Sequence, residues 1–585
     1  MIKFLDLRDN ALFLQNWRER MRGPTVAAAV LMASVIIMLI FLTTYFNREY
    51  DHSRRNQQQY GTKAHYSHSN YYSERREIPW LEMSFYYITY FQGVVLLLFG
   101  TISADRMAVR ERASGTLEYH RCSPTRRLDQ FAGLLLGSTC LEWCIVLGSL
   151  PISLFLVLVT EISLLRFFIF YLSLFLSAVF YHAFAVLLAT AANQRSLLNH
   201  RRISAVHIVV VMLFASGAFM YSGSSALYHL SWIPNYEQLT WDIKGHDTGS
   251  SYSYYDWRGV MEKKLYSFFG VGLPSLVLQG LVQLPILIMF ITGIVRQISK
   301  PDRPLFSKPQ SALLIFIVLF LFTGSAYSGY IYGPNYSYSY SRYDGDHSYS
   351  QQAVNEIVPV LAILIWAMGV IGALSVTPTR LLFEKGRRKA KKLKLRLDPN
   401  DDHSSNTFWL ATFGIVVMAV LFMFRYVFWG PFLNWVFAFI LLMSHVVFFA
   451  CAFEYVRLSK HHRKMILFTT VIVLLWFVLP FFSMALAASN KIHVSVPYAM
   501  MSSSPFWNID IIRDLLAGKV DFFDFQAYRS ATHYDSYYLA RQDIHFYLAL
   551  FLNLAWATAA AVLVKQERDK LYRQIVESPA SSQPA

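Results

Sequence analysis

The feature that most constrains this chain is a series of uninterrupted apolar runs, each roughly 20 residues long, separated by segments dense in Arg, Lys, Tyr and Ser. A run of that length, wound at about 1.5 Å per residue, matches the hydrocarbon core of a bilayer, where a helix satisfies its own backbone. The apolar residues form neither helical stripes nor alternating patterns, so the runs read as helices embedded on all sides rather than as faces of a water-soluble core. Hydrophobic residues are 55% of the 585 and charged residues only 15%. Almost every stretch longer than about 60 residues contains a spanning candidate, which excludes a large soluble domain.

About twelve spans are predicted, near 24–46, 80–104, 133–160, 163–192, 203–223, 271–295, 309–330, 354–376, 407–429, 431–453, 465–487 and 546–564. The expected fold class is all-α, a polytopic transmembrane helix bundle. The first run is too long for a signal peptide and lacks a small-residue cleavage site, so it reads as a retained helix. With the N-terminus placed inside, most of the 53 Lys and Arg residues fall in inner segments, and both termini are expected to be cytoplasmic. The net charge of +16 then faces anionic lipid or a protein partner. Its scatter over many loops argues against nucleic acid as a partner.

The spans divide into two sixes, 1–300 and 301–585, with a shared order of basic lead-in, span, Tyr/Ser-rich outer loop, span and charged inner loop. NWRERMRGP (Asn16 to Pro24) corresponds to RQISKPDRP (Arg296 to Pro304), and SHSNYYSERRE corresponds to YSYSYSRYDGDHSYS. An even number of spans per half makes the repeats parallel, related by an axis along the membrane normal. The long outer loops 224–270 and 488–545 are rich in aromatics suited to the headgroup level.

Cys122, Cys140, Cys144 and Cys451 all lie in spans or inner segments, so no disulfide framework is expected, and Cys140 and Cys144 read as small apolar core residues. His65, His68, His461 and His462 lack Cys and carboxylate partners at ligand spacing, so no metal is expected. Within the spans, Glu142 and His182 lie at similar depth and are candidates for an intramembrane polar pair joining adjacent helices. Arg166, Glu356 and Arg425 lie near outer ends, where long side chains reach water.

The segment Asp105 to Phe131, DRMAVRERASGTLEYHRCSPTRRLDQF, carries the densest helix punctuation. Arg106 to Ala113 continues the second span as a helix, Gly115 suits a left-handed stop, and Ser123 with Pro124 supplies an N-cap and first-turn proline for the third span. The string Arg110, Glu111, Arg112, Ala113, Ser114, Gly115, Thr116, Leu117, Glu118, with Ser123 and Pro124 behind it, resembles the R-E-R-x-x-G-T-L-E … S-P signature of ABC-2 type permeases. In that family the segment is the coupling helix that docks on a nucleotide-binding subunit.

Asp6 to Met21 is similar to the family's connecting helix, with Leu7, Ala11, Leu12, Leu14 and Trp17 able to share an apolar side. SPFWNIDIIRDLLAGKVDFFDFQAY, Ser504 to Tyr528, resembles the stretch before the last span of such permeases. The second-half inner loop, TPTRLLFEKGRRKAKKLKLRLDPNDDHSS, lacks Gly-Thr-Leu-Glu, which makes two equal docking sites doubtful or reduces that loop to a solvated basic segment.

The resemblance implies the transmembrane subunit of an exporter in a bacterial inner membrane, with cytoplasmic nucleotide-binding ATPase subunits as partners. The chain shows no G-x-x-x-x-G-K-[ST]; the nearest string is Ala517, Gly518, Lys519 and Val520. No enzyme activity or cofactor of its own is therefore expected, with ATP and Mg held by the partner. Two other classes remain open: an ion-coupled secondary transporter, which would concentrate carboxylates at midplane, and a lipid-linked transferase, for which Asp510, Asp514, Asp521 and Asp524 are too scattered. The substrate is not encoded in any of these motifs.

Overall fold

The computed structural model describes residues 11–61, 80–116, 126–160, 162–191, 229–236, 239, 265–269, 271–299, 303–331, 347–393, 402–424, 432–459, 504–516 and 535–577. They are almost entirely helical and fall into two compact units, one within Met1–Ser299 and one within Lys300–Ala585. Eight helices among the described residues are long and apolar enough to cross a membrane, and Lys308–Gly324 and Thr407–Met423 are shorter apolar helices. The expected spans 203–223 and 465–487 lie outside the described residues.

The first unit contains α1 (Ala11–Arg20), α2 (Gly23–Gly61), α3 (Trp80–Gly93), α4 (Gly100–Ala113), α5 (Arg127–Val159), α6 (Leu164–Ala191) and α7 (Ser275–Ser299). Between α3 and α4 the chain stays helical through a wider π turn, Val94–Phe99, in which the Gly100 amide donates to the Val95 carbonyl. The hairpin strands β1 (Leu265–Phe268) and β2 (Val271–Pro274) pair antiparallel, with Leu265 opposite Pro274 and Phe268 opposite Val271. That hairpin corrects the expected span at 271–295: four of its residues are in a strand, and the helix begins after Pro274, whose missing amide a helix start tolerates.

Packing in this unit follows α1 against α5, α4 against α6 and α5, and α6 against α7. Phe85, Ile88, Leu96, Leu174 and Ile294 are fully buried among these helices, whereas Leu31, Phe155, Leu165 and Phe168 point outward, as a lipid-facing surface requires. Proline is tolerated inside α5 at Pro151 and α7 at Pro285 because neighbouring helices and hydroxyls can meet the freed backbone groups.

The second unit contains α8 (Lys308–Ile331), α9 (His347–Val376), α10 (Arg380–Leu393), α11 (Thr407–Met423), α12 (Phe432–Leu458), α13 (Pro505–Leu516) and α14 (Asp535–Glu577). At its centre α12 packs against α14, α9, α13 and α11. Glycines on α9 permit close helix crossings: a Cβ on Gly369 would sit 2.8 Å from Val446 Cγ2, and one on Gly372 would strike Trp409 of α11. Cys451, Ala560 and Val564 form the seam between α12 and α14.

Candidate docking site and its connections

The described part of the signature ends α4. Arg106, Arg110, Ala113 and Ser114 are exposed at helical spacing, so they form one outward stripe. The helix stops at Ala113; the Ser114 hydroxyl donates to the Glu111 carbonyl at 3.2 Å, and Gly115 turns the chain at φ 74°. That left-handed backbone is disfavoured by about 1–2 kcal/mol with a Cβ, which explains a glycine where the helix must end abruptly. Thr116 shares a hydrogen bond with the Ser114 hydroxyl. Leu117, Glu118, Ser123 and Pro124 lie outside the described residues.

The two arginines of the signature point to different helices. Arg110 forms an ion pair with Glu19 of α1, whereas Arg112 donates to the carbonyls of Thr190 and Ala189 in the last turn of α6. A guanidinium at that position meets carbonyls left unpaired by the helix end and complements its partial negative charge. Between them Glu111 is buried, with one carboxylate oxygen lacking a partner among the described residues. The Arg110–Glu19 pair is well exposed, so its net contribution to stability is at most about 1 kcal/mol, and its value lies in fixing direction.

α1 runs along α5 rather than standing apart from the bundle. Leu12 and Asn16, four residues apart, are its most buried residues, while Leu14 and Trp17 are only half-buried. The expected apolar side is therefore corrected: the face turned to α5 includes the amide of Asn16, because Gly137 leaves room for it. A Cβ on Gly137 would lie 2.9 Å from Asn16 Cβ. Leu7 lies outside the described residues, and the Phe13 and Trp17 rings pack at 5.6 Å.

Glu142 and His182 do not pair with each other. Glu142 accepts a hydrogen bond from Ser103 of α4 and lies 3.7 Å from Arg20 of α1. His182 Nε2 donates to the Leu96 carbonyl at 2.9 Å, which fixes the tautomer and leaves Nδ1 without a partner among the described residues. The separation has a local cause. The π turn presents the Leu96 carbonyl to α6, and Gly100 leaves the space that the imidazole fills, since a Cβ there would collide with Nε2. Thus Glu142 joins α5 to α1 and α4, while His182 joins α6 to the middle of the second span.

Sequence reasoning missed the buried amides. Gln92 of α3 donates to Ser149 at 2.8 Å and Ser153 at 3.1 Å on α5 and accepts from Tyr171 of α6. Gln279 of α7 donates to Ser177 at 2.8 Å and accepts from Asn235 at 2.7 Å. Amides interrupting apolar runs were the available signal, since polar side chains at that depth need partners on neighbouring helices. Cys140 is buried but Cys144 is exposed, so the two are not a joint core pair as expected.

In the second unit the stretch TPTRLLFEKGRRKAKKL, Thr377 to Leu393, contains a packed helix rather than a solvated segment throughout. Three residues after α9, Thr379 begins α10, its hydroxyl accepting from the Leu382 amide at 3.4 Å. Leu382 and Phe383 face inward, with Phe383 packed against Leu458 and Leu571. Asp402 to Asn406 holds this end together: Asp402 lies 3.4 Å from Arg303, His403 Nδ1 donates to the Leu382 carbonyl at 2.9 Å, and Asn406 donates to Thr377 at 2.7 Å. Among the described residues no group of His, Cys, Asp or Glu is arranged to hold a metal ion. His65, His68, His461, His462, Cys122 and Arg425 lie outside the described residues.

Residues 10–241 match the family model for the ABC-2 type transporter. No curated protein and no solved structure matches the chain. The ABC-2 match spans α1 to α6, including the RERASGT turn and both helices its arginines reach, and ends before α7. Together with the apolar helices it supports an integral membrane permease of the ABC-transporter kind.

Proposed function

We propose that this chain is the transmembrane permease subunit of an ABC-2 type exporter, driven by ATP hydrolysed on separate nucleotide-binding subunits. The observation that carries the reading is the double attachment of the signature turn, through Arg110 to α1 and through Arg112 to the end of α6, within the region that matches the family. A subunit gripping the stripe Arg106, Arg110, Ala113 and Ser114 could move three elements at once: α4 directly, α1 by an ion pair and α6 by its capped end. The π turn gives α4 a place to shift relative to α3 without breaking the helix. Motion then follows from differential ATPase contacts with two states of the permease, and this chain performs no covalent step.

In this reading ATP and Mg belong to the partner, 301–585 is a second permease half, and both termini are cytoplasmic in a bacterial inner membrane. Glu142 is already engaged by Ser103 and Arg20, which disfavours a free midspan carboxylate of the kind an ion-coupled carrier would use. The test is co-purification of the detergent-solubilised chain with a candidate nucleotide-binding subunit from the same cell. Gly115→Pro with Glu118→Arg is expected to abolish both association and ATPase stimulation while leaving the protein folded. Recruitment of no ATPase by the unmodified chain would overturn the reading.

A further inference from the structure

The helix α10 has two faces of opposite character. Leu382, Phe383 and Gly386 are buried, and a Cβ on Gly386 would strike the His403 side chain, so this face is closed by the protein itself. On the other face Leu381, Lys385, Arg388 and Lys392 recur at spacings of four, three and four and are all exposed, with Lys389 beside them. The helix carries seven basic residues against one acidic residue, Glu384, which is already engaged by Arg380 at 2.6 Å and approached by Arg388 at 4.0 Å. Basic residues therefore outnumber acidic ones on the outward side of α10.

The position of this face is fixed by what α10 touches. It follows the candidate span Ile357–Val376 by three residues, and Phe383 is held against Leu458 at the end of α12 and Leu571 near the end of α14. Arg380 donates to the Leu458 carbonyl at 3.3 Å, and the Arg387 guanidinium lies 5.2 Å from the Phe383 ring and 5.9 Å from the Tyr572 ring. The helix is thus held at the level where apolar helices end. Leu381, 56% exposed, begins the outward stripe nearest the span in sequence, and the cations follow it along the helix. An apolar contact followed by a row of cations at the end of a span matches the boundary between acyl chains and negatively charged headgroups.

We propose that the stripe Leu381, Lys385, Arg388 and Lys392, with Lys389, is a binding face for the headgroups of anionic phospholipids. The proposal is independent of the permease reading, because it requires no ATPase and rests on the second unit alone. The lipid face anchors the end of α9 and, through Phe383, the ends of α12 and α14.

The test uses the full chain with Cys122, Cys140, Cys144 and Cys451 replaced by alanine and a fluorophore on Leu381→Cys, in nanodiscs of equal parts phosphatidylcholine and phosphatidylglycerol. One lipid or the other carries brominated acyl chains as a quencher. Brominated phosphatidylglycerol is expected to quench more strongly than brominated phosphatidylcholine. That preference should fall at least about fivefold in Lys385→Gln/Arg388→Gln/Lys389→Gln/Lys392→Gln and shrink at high salt. Exchanging the three lysines for arginine should preserve it. All four altered positions are exposed, and an unchanged elution profile checks folding. Equal quenching by the two lipids overturns the proposal, and so does quenching by neither, which would make the face a site for a soluble protein.

Discussion

At the residue scale, Gly100 and His182 form the most constrained contact between the second and fourth spans. The imidazole occupies the space that a side chain at residue 100 would need, and its hydrogen bond goes to the π turn just before that glycine. Gly100→Ala is expected to destabilise the solubilised protein by about 1–3 kcal/mol through overpacking. Adding His182→Ala should recover part of that loss, because the colliding ring is gone. A double-mutant cycle by thermal unfolding would show this as a clear departure from additivity, and additive losses would mean that the two residues act separately. Gly115 provides a contrast. Nothing crowds its Cβ position, but its φ of 74° makes Gly115→Val cost about 1–2 kcal/mol locally. The expected readout there is lost ATPase stimulation with a nearly unchanged melting temperature.

At the scale of elements, charge decides two junctions in different ways. Glu19→Arg and Arg110→Glu should each reduce stimulation of a bound ATPase, and the double exchange should restore much of it, with stability changing by less than about 1 kcal/mol because the pair is exposed. The junction of α12 with α14 is buried. Glu454 accepts from Arg568 at 2.8 Å and from the Asn406 amide at 3.3 Å, so it ties α12 to α14 and to the start of α11. Arg568→Met removes the countercharge and is expected to cost about 3–5 kcal/mol, read as a large fall in melting temperature, whereas Arg568→Lys should recover much of it.

Length and apolarity were enough to place the long helices in the sequence, because a bilayer-length run has few alternatives to a helix. Gly115 was also legible, since its place after RERAS suits a left-handed stop. The π turn was not, because Val94 to Phe99 is as apolar as any helical stretch. Nor was the partner of His182, which depends on a glycine of another helix. The amphipathic order of α10 was present in its sequence, yet its basic composition concealed the buried Leu382 and Phe383.

At the scale of the whole molecule, each unit carries an exposed stripe on one helix, and the two stripes differ in character. In the first unit, the exposed stripe of α4 is tied through Arg110 and Arg112 to α1 and α6. In the second, α10 is clamped by His403, Arg380 and Phe383 against the ends of its own bundle, and its outward side is densely cationic. A motor engaging both halves alike would need two surfaces of similar shape and charge. The proposed function therefore predicts unequal footprints. In a background without native cysteines, maleimide labelling of Ser114→Cys should slow several-fold when the ATPase is added, while labelling of Lys389→Cys should keep its rate. Equal protection at both positions would place the motor on α10 as well and remove the lipid face from its proposed role. Protection at neither would separate the signature turn from motor docking.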